Sequence, residues 1–174
     1  MLRLLLARHA KSSWHEADLP DHDRPLSKRG LRAAPLVARA LAEGGHAPEL
    51  VYCSTARRTR STWELMSPYI GARAEVRYLP ELYLAPAERV LEVISGAPAS
   101  VGTLMVMGHN PATHAVAVHF GELPTPPLRV FPTGAVAVVE LASESWRNAV
   151  SRGRIVDFVA PKAVGRVRPD RAPG

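Results

Sequence analysis

Leu2-Arg3-Leu4-Leu5-Leu6-Ala7-Arg8-His9 is the stretch that decides how this chain folds. A short, mostly apolar run reads as a strand buried on both faces, the kind found in parallel sheets covered by helices. A strand that ends in Arg8 and His9 aims both at whatever lies beyond the sheet. An imidazole with an ordinary pKa near ~6.5 is a nucleophile at neutral pH, and an adjacent guanidinium can hold two phosphate oxygens in a planar fork. Taken alone, such a dipeptide is more often a strand-end ion pair or a solvated turn. Its meaning therefore depends on what the other strands deliver beside it.

Outward from this run, short apolar segments alternate with longer stretches of helical period, the pattern of strands alternating with helices around a mostly parallel sheet. Ser27 is placed to cap a helix with the apolar stripe Leu31, Ala34, Val37, Ala38 and Leu41, ended by Gly44-Gly45 and disturbed by Pro35. Leu50 to Tyr52 reads as a second strand, Thr55 to about Tyr69 as a helix, and Ala74 to Leu79 as an extended segment entering Pro80-Glu81-Leu82. A helix is expected from Pro86 to Ile94, a buried strand from Thr103 to Met107, and a further helix starting near Pro111. Pro124-Thr125-Pro126-Pro127 reads as a loop. Ala135 to Leu141 and Arg154 to Ala160 are two last strands, close enough in sequence to predict one antiparallel strand at a sheet edge. The expected class is α/β, a three-layer α/β/α domain over residues 1–160. Residues 161–174 form a basic, Pro- and Gly-containing tail, expected to be poorly ordered.

The composition is permissive rather than decisive. A chain of 174 residues, 47% hydrophobic, suffices for one domain with a substantial core. Its formal charge of +6 suits phosphorylated substrates, nucleic acid or acidic surfaces alike. Part of that excess is local to the tail, where Lys162, Arg166, Arg168 and Arg171 face only Asp170. Cys53 is the only cysteine, so no intrachain disulfide forms, which suits a reducing compartment. No signal core and no run near the ~20 apolar residues of a membrane span is present, so a cytoplasmic location without membrane association is expected.

In an open α/β sheet the ligand crevice lies beyond the carboxyl ends of the strands. The first strand delivers Arg8 and His9 there, the second Ser54 and the Arg57-Arg58 pair, and the Thr103 to Met107 strand His109 and Asn110. The extended segment adds Glu81. Two histidines, two or three arginines and one carboxylate make a cationic pocket, to which helix N-termini add backbone donors.

At this point the sequence resembles the histidine phosphatase superfamily and, within it, the short SixA-type phosphohistidine phosphatases. The resemblance is carried by Leu4-Leu5-Leu6-Ala7-Arg8-His9-Ala10-Lys11-Ser12, by Asp23-Arg24-Pro25-Leu26-Ser27-x-Arg29-Gly30 and by Ser54-x-x-x-Arg58 with Thr62. Leu79-Pro80-Glu81-Leu82-Tyr83 and Gly108-His109-Asn110-Pro111 complete it, in order, across residues 4 to about 134. It implies a phosphoglycerate mutase-like fold and a covalent phosphohistidine on His9, with Arg8 and Arg58 binding the phosphoryl oxygens. It further implies His109 as the second pocket histidine and the Asn110 backbone N–H as a further donor. Glu81 falls where many members draw a proton donor. Thr55 and Arg60-Ser61 depart from the usual residues around that serine and threonine, though the register still selects Arg58 over Arg57.

The physical logic agrees. Phosphoryl transfer asks mainly for positioning and for positive charge on the equatorial oxygens, so two arginines and a histidine are suitable equipment, with no metal or other cofactor. Surrounding cations should depress the His9 pKa and keep its nitrogen free. The expected activity is hydrolysis of a phosphoric monoester or phosphoramidate. The substrate that the resemblance implies is a phosphorylated protein carrying phosphohistidine, the alternative being a small sugar phosphate or nucleotide. The few residues between motifs leave no obvious lid, which favours the protein substrate and disfavours a mutase. A monomer or weak homodimer is expected.

Rival sites are weaker. Cys53 would need an arginine at position 59, which is threonine, so it reads as a small apolar strand-end residue. His109, His114 and His119 recur every five residues and so fan around a helix rather than converging on a metal. A phosphate-reading or nucleic-acid-binding module would have no use for two pocket histidines, and aromatic residues are only 6%. Lys11, Ser12 and Trp14 follow the nucleophile and are placed to shape the entrance, Ser12 as a substrate contact. His15 and His22 read as loop residues, and Asp21, Asp23 and Arg24 as ions pairing with each other.

Overall fold

A computed structural model describes residues 1–15, 17–121, 131–151 and 153–164. Six strands form one sheet: β1 (Leu2–Arg8), β2 (Leu50–Ser54), β3 (Glu75–Leu79), β4 (Thr103–Gly108), β5 (Val136–Leu141) and β6 (Gly153–Val159). Their order is β3-β2-β4-β1-β5-β6. Neighbours run parallel from β3 through β1, whereas β5 is antiparallel to both β1 and β6. The β5–β6 pair is the antiparallel element expected at one sheet edge, with β6 the edge strand and the reversed strand β5 one place in. The short connection from β5 to β6 permits only an antiparallel neighbour, so β6 regains the direction of β1 and becomes the edge.

The continuous apolar run of β1 is explained by burial on two faces. Leu2, Leu4 and Leu6 pack with α3 (Ala87–Ser95), α4 (Ala112–Phe120) and α5 (Trp146–Ala149) through Val90, Ile94, Val116, Phe120 and Trp146. Leu5 and Ala7 point to the other face, against α1 (Lys28–Glu43) and α2 (Arg57–Ile70) through Val37, Leu41, Trp63 and Met66. The four-residue α5 occupies the connection between β5 and β6.

Helix α1 begins where Ser27 caps it, its Oγ accepting from Gly30 N at 3.2 Å, and ends at Gly44, with Gly45 left-handed at φ 70°. Pro35 lies within the unbroken helix. Leu31, expected on the buried stripe, is 47% exposed, while Ala34, Val37, Ala38 and Leu41 are buried. The tail also departs from expectation at its start. Pro161–Val164 forms a short helix, α6, with Val164 joining the core beside α1. Pro161 suits a first helical turn. The remaining tail, 165–174, and the Pro124–Pro127 loop lie outside the described residues. No helix among the described residues is long and apolar enough to cross a membrane.

Candidate active site

The sheet order explains why distant residues meet. Arg8 is in register with Gly108, so His9 and His109 leave adjacent parallel strands side by side. Cys53 pairs with Met107 on the other side of β4, which puts Ser54 next in the row. Ser54 in turn pairs with Leu79, so the turn Pro80–Leu82 and Tyr83 close that end. The His9 and His109 ring centroids are 5.3 Å apart, and Tyr83 meets His109 edge-on at 5.6 Å.

His9 is 7% exposed and its Nδ1 lies 2.7 Å from the Ala10 carbonyl oxygen. A carbonyl only accepts, so Nδ1 carries the proton and the neutral ring has its lone pair on Nε2. Burial pulls the imidazole from 6.5 down to about 4, and the Arg58 and Arg8 charges add to this against the Ala10 hydrogen bond. The loop carrying this geometry is clamped from both sides. Thr62 Oγ1 accepts from Ala10 N at 2.9 Å and donates to Arg58 O at 2.7 Å. Lys11 O accepts from Ser27 N at 2.8 Å and from Ser27 Oγ at 3.0 Å. Gly134, left-handed at φ 75°, donates its N–H to His9 O at 2.9 Å.

Arg58 is 4% exposed whereas Arg57 points to solvent, as successive residues ~100° apart on a helix must diverge. Thr59 fixes this turn through Oγ1 bonds to Ser54 O and Ala56 O. Arg58 Nη2 donates to Asp21 Oδ2 at 2.9 Å and to His109 Nδ1 at 3.3 Å, while Nη1 donates to the Asp21 carbonyl at 2.6 Å. A guanidinium has no acceptor, so His109 Nδ1 bears the lone pair and Nε2–H donates to Ser54 Oγ at 2.8 Å. His109 is held neutral, down to about 3, by burial first and then by the charges of His9 and Arg58.

Arg8 Nη1 donates to Phe131 O at 2.6 Å, and Asn110 Nδ2 donates to the same oxygen at 3.0 Å. Asn110 thus uses its side chain to anchor the wall beside Arg8. Ser12 is buried in an isolated bridge to Leu26, and its hydroxyl bonds none of the pocket residues described. Glu81 is exposed and shares no hydrogen bond with His9, Arg8, Arg58 or His109 among the described residues. Cys53 is buried, its thiol pushed up to about 12 by burial, and so inert as a nucleophile. His119 binds Val150 O, away from His109, and among the described residues no three His, Cys, Asp or Glu side chains converge on a metal-sized point.

Two pocket residues escaped the sequence reading. The Asp21 carboxylate turns to Arg58 instead of Arg24, whose backbone N–H reaches Asp21 O, and the same Oδ2 accepts from Tyr83 Oη at 2.7 Å. Burial pushes its carboxyl up, but these bonds and the Arg58 charge outweigh it and hold the group below its ordinary range. Asp23 meets His22 at 3.2 Å, and Arg24 stacks over the Trp14 ring at 4.1 Å. The one available signal was position: Asp21 stands two residues before the Asp23-Arg24-Pro25 stretch, in the same short turn as Asp23.

At one end of a doubly covered α/β sheet, two neutral histidines and two arginines thus gather, a set able to position and neutralise a phosphoryl group. The chain belongs to the histidine phosphatase superfamily, whose branch 1 profile matches residues 4–83. Within the superfamily it is of the SixA type. The SixA protein of Agrobacterium tumefaciens is 30% identical and superposes with a TM-score of 0.78, covering 92% of this chain and 98% of that one. SixA of Nakamurella multipartitia is also 30% identical, with a TM-score of 0.75 over 92% and 96%. An uncharacterized protein of Mycobacterium tuberculosis is 37% identical over 162 residues, 89% of this chain and 99% of its own.

Proposed function

We propose that this chain hydrolyses phosphohistidine, most simply on another protein, through a phosphohistidine formed on its own His9. The observation that carries this reading is the placement of the His9 ring: Nδ1 lies 2.7 Å from Ala10 O, an acceptor only, so the proton belongs on Nδ1 and the lone pair on Nε2 is left for attack. Both SixA relatives at 30% identity bear the provisional name phosphohistidine phosphatase, which supports the same substrate class.

The chemistry balances without a proton donor. A phosphohistidine with its second nitrogen protonated is a zwitterion. His9 Nε2 attacks phosphorus, the P–N bond to the substrate ring breaks, and its electron pair returns to that nitrogen, releasing a neutral imidazole. Phospho-His9 is the matching zwitterion, its Nδ1 proton stabilised by the Ala10 carbonyl. Water then attacks phosphorus, the P–Nε2 bond breaks, and dihydrogen phosphate leaves with both water protons. Arg8 and Arg58 supply the charge that the equatorial oxygens need, so the reaction as proposed uses no metal. His109 and Ser12 serve as further contacts to the phosphoryl group and its carrier. An alcohol leaving group, by contrast, would need an acid, the role open to Glu81.

The test is a panel of phosphohistidine peptides, sugar phosphates and nucleotides ranked by kcat/KM, with and without chelator. Phosphohistidine should rank first and chelator should have no effect. A sugar phosphate or nucleotide at the top would replace the substrate assignment and restore Glu81 as the acid.

A further inference from the structure

Asp21 presents two different oxygens. Oδ2 is saturated by Arg58 Nη2 and Tyr83 Oη, whereas Oδ1 accepts from no group among the described residues. The side chain is 42% exposed, so Oδ1 is reachable from outside. It is also close to the chemistry, because Arg58 Nη2 bridges Asp21 and His109 Nδ1, and the His109 ring lies 5.3 Å from that of His9. A carboxylate in this place is costly for an enzyme that binds only phosphoryl dianions, since like charges repel at short range. It calls for a substrate with a positive part.

We infer that Asp21 is a specificity residue whose Oδ1 accepts the N–H of the protonated imidazole that carries the phosphoryl group. This rests on the substrate reading above and goes further, assigning a protein group to the leaving side of the bond. With both histidines neutral, Arg8 and Arg58 against Asp21 leave one net positive charge at the pocket. That balances the single net negative charge of a protonated phosphohistidine and under-compensates a dianionic phosphomonoester. The contact also favours the protonated form of the substrate ring, the form in which it departs as a neutral molecule. The charged and titratable groups facing Asp21 are Arg58 from α2, Tyr83 beyond the Pro80–Leu82 turn, and the two histidines from β1 and β4.

The experiment compares wild type and Asp21→Asn on a phosphohistidine peptide and on p-nitrophenyl phosphate. Asn keeps the shape and an acceptor for Arg58 and Tyr83 but removes the charge. The ratio of the two kcat/KM values, read on one preparation, is insensitive to any loss of folded protein. A charged hydrogen bond of this kind is expected to shift that ratio roughly 10- to 100-fold. Phosphohistidine hydrolysis should fall further than aryl phosphate hydrolysis, by that factor. The alkaline limb of the phosphohistidine pH profile, where the substrate ring loses its proton, should also move to lower pH in Asp21→Asn. A parallel fall on both substrates would make Asp21 only a brace for Arg58 and overturn the inference, as would an unchanged ratio. A wild type active on the aryl phosphate but inactive on phosphohistidine would remove the substrate reading itself, and the inference with it.

Discussion

His9 and His109 face each other at 5.3 Å with opposite nitrogens protonated, His9 on Nδ1 because a carbonyl accepts from it and His109 on Nε2 because a guanidinium occupies Nδ1. One backbone oxygen and one arginine thereby divide the two imidazoles into one with a free Nε2 lone pair, the proposed nucleophile, and one whose Nδ1 lone pair is already engaged. Imidazole 15N shifts should show the two opposite tautomers at pH 7. Their titrations should have midpoints near about 4 for His9 and about 3 for His109. A midpoint near ~6.5 for either would contradict the buried, cation-flanked site.

The same burial makes stability depend on pH. A histidine whose pKa is lower folded than unfolded binds fewer protons in the folded state, so its contribution is complete above the unfolded value and is lost as pH falls. The relevant window runs from 6.5 down to about 4 for His9 and about 3 for His109. The melting temperature of wild type should therefore drop more between pH 7 and pH 4.5 than that of a His9→Gln/His109→Gln variant. Equal drops would show that these rings are not the titrating groups.

Arg58 and Arg57 are neighbours in sequence with opposite fates, one buried against Asp21 and His109, the other exposed. Arg58→Ala should lower kcat/KM by about 10²–10³, the size of losing one preorganised charge donor. Arg58→Lys should recover little, because an ammonium cannot reproduce a fork that serves Asp21 and His109 at once. Arg57→Ala should stay within about twofold of wild type, since an exposed side chain that contacts only a loop carbonyl contributes little. Steady-state kinetics on the phosphohistidine peptide would show the contrast.

Gly30 tests how far the helix cap supports the nucleophile. A Cβ built there would lie 2.3 Å from Lys11 O, the carbonyl that Ser27 holds two residues beyond His9. Backbone must move, so Gly30→Ala should destabilise by about 1–3 kcal/mol and lower kcat while the fold persists. Chemical denaturation and kinetics on the same preparation would read both effects.

Much of this was legible because the pattern was redundant. β1 announced itself by an apolar run that only a doubly covered strand requires, and His9, Ser54 and His109 each sit at or just past a strand end, where position follows from the element. The inward arginine needed only the helical angle and the register from Ser54. What could not be read depends on pairings between loops. Asp21 reaches Arg58 across 37 positions in sequence, and no periodicity marks a residue in a short turn. Glu81 is the converse case: its neighbours made it conspicuous, and the turn Pro80–Leu82 buries Leu82 and brings Tyr83 to His109 and Asp21 while Glu81 stays exposed. The place of β5 inside the sheet was likewise a matter of strand order, which hydrophobic alternation does not encode.

In the proposed mechanism His9 carries the phosphoryl group between substrate and water. Brief incubation with a 32P-labelled phosphohistidine peptide, alkaline quench and peptide mapping should give an acid-labile label on His9 in the presence of chelator. That label should be absent from His9→Ala and accumulate if the attack of water is slowed. Turnover of the same peptide by His9→Ala at the wild-type rate, or label found on another residue, would rule out His9 as the phosphoryl carrier.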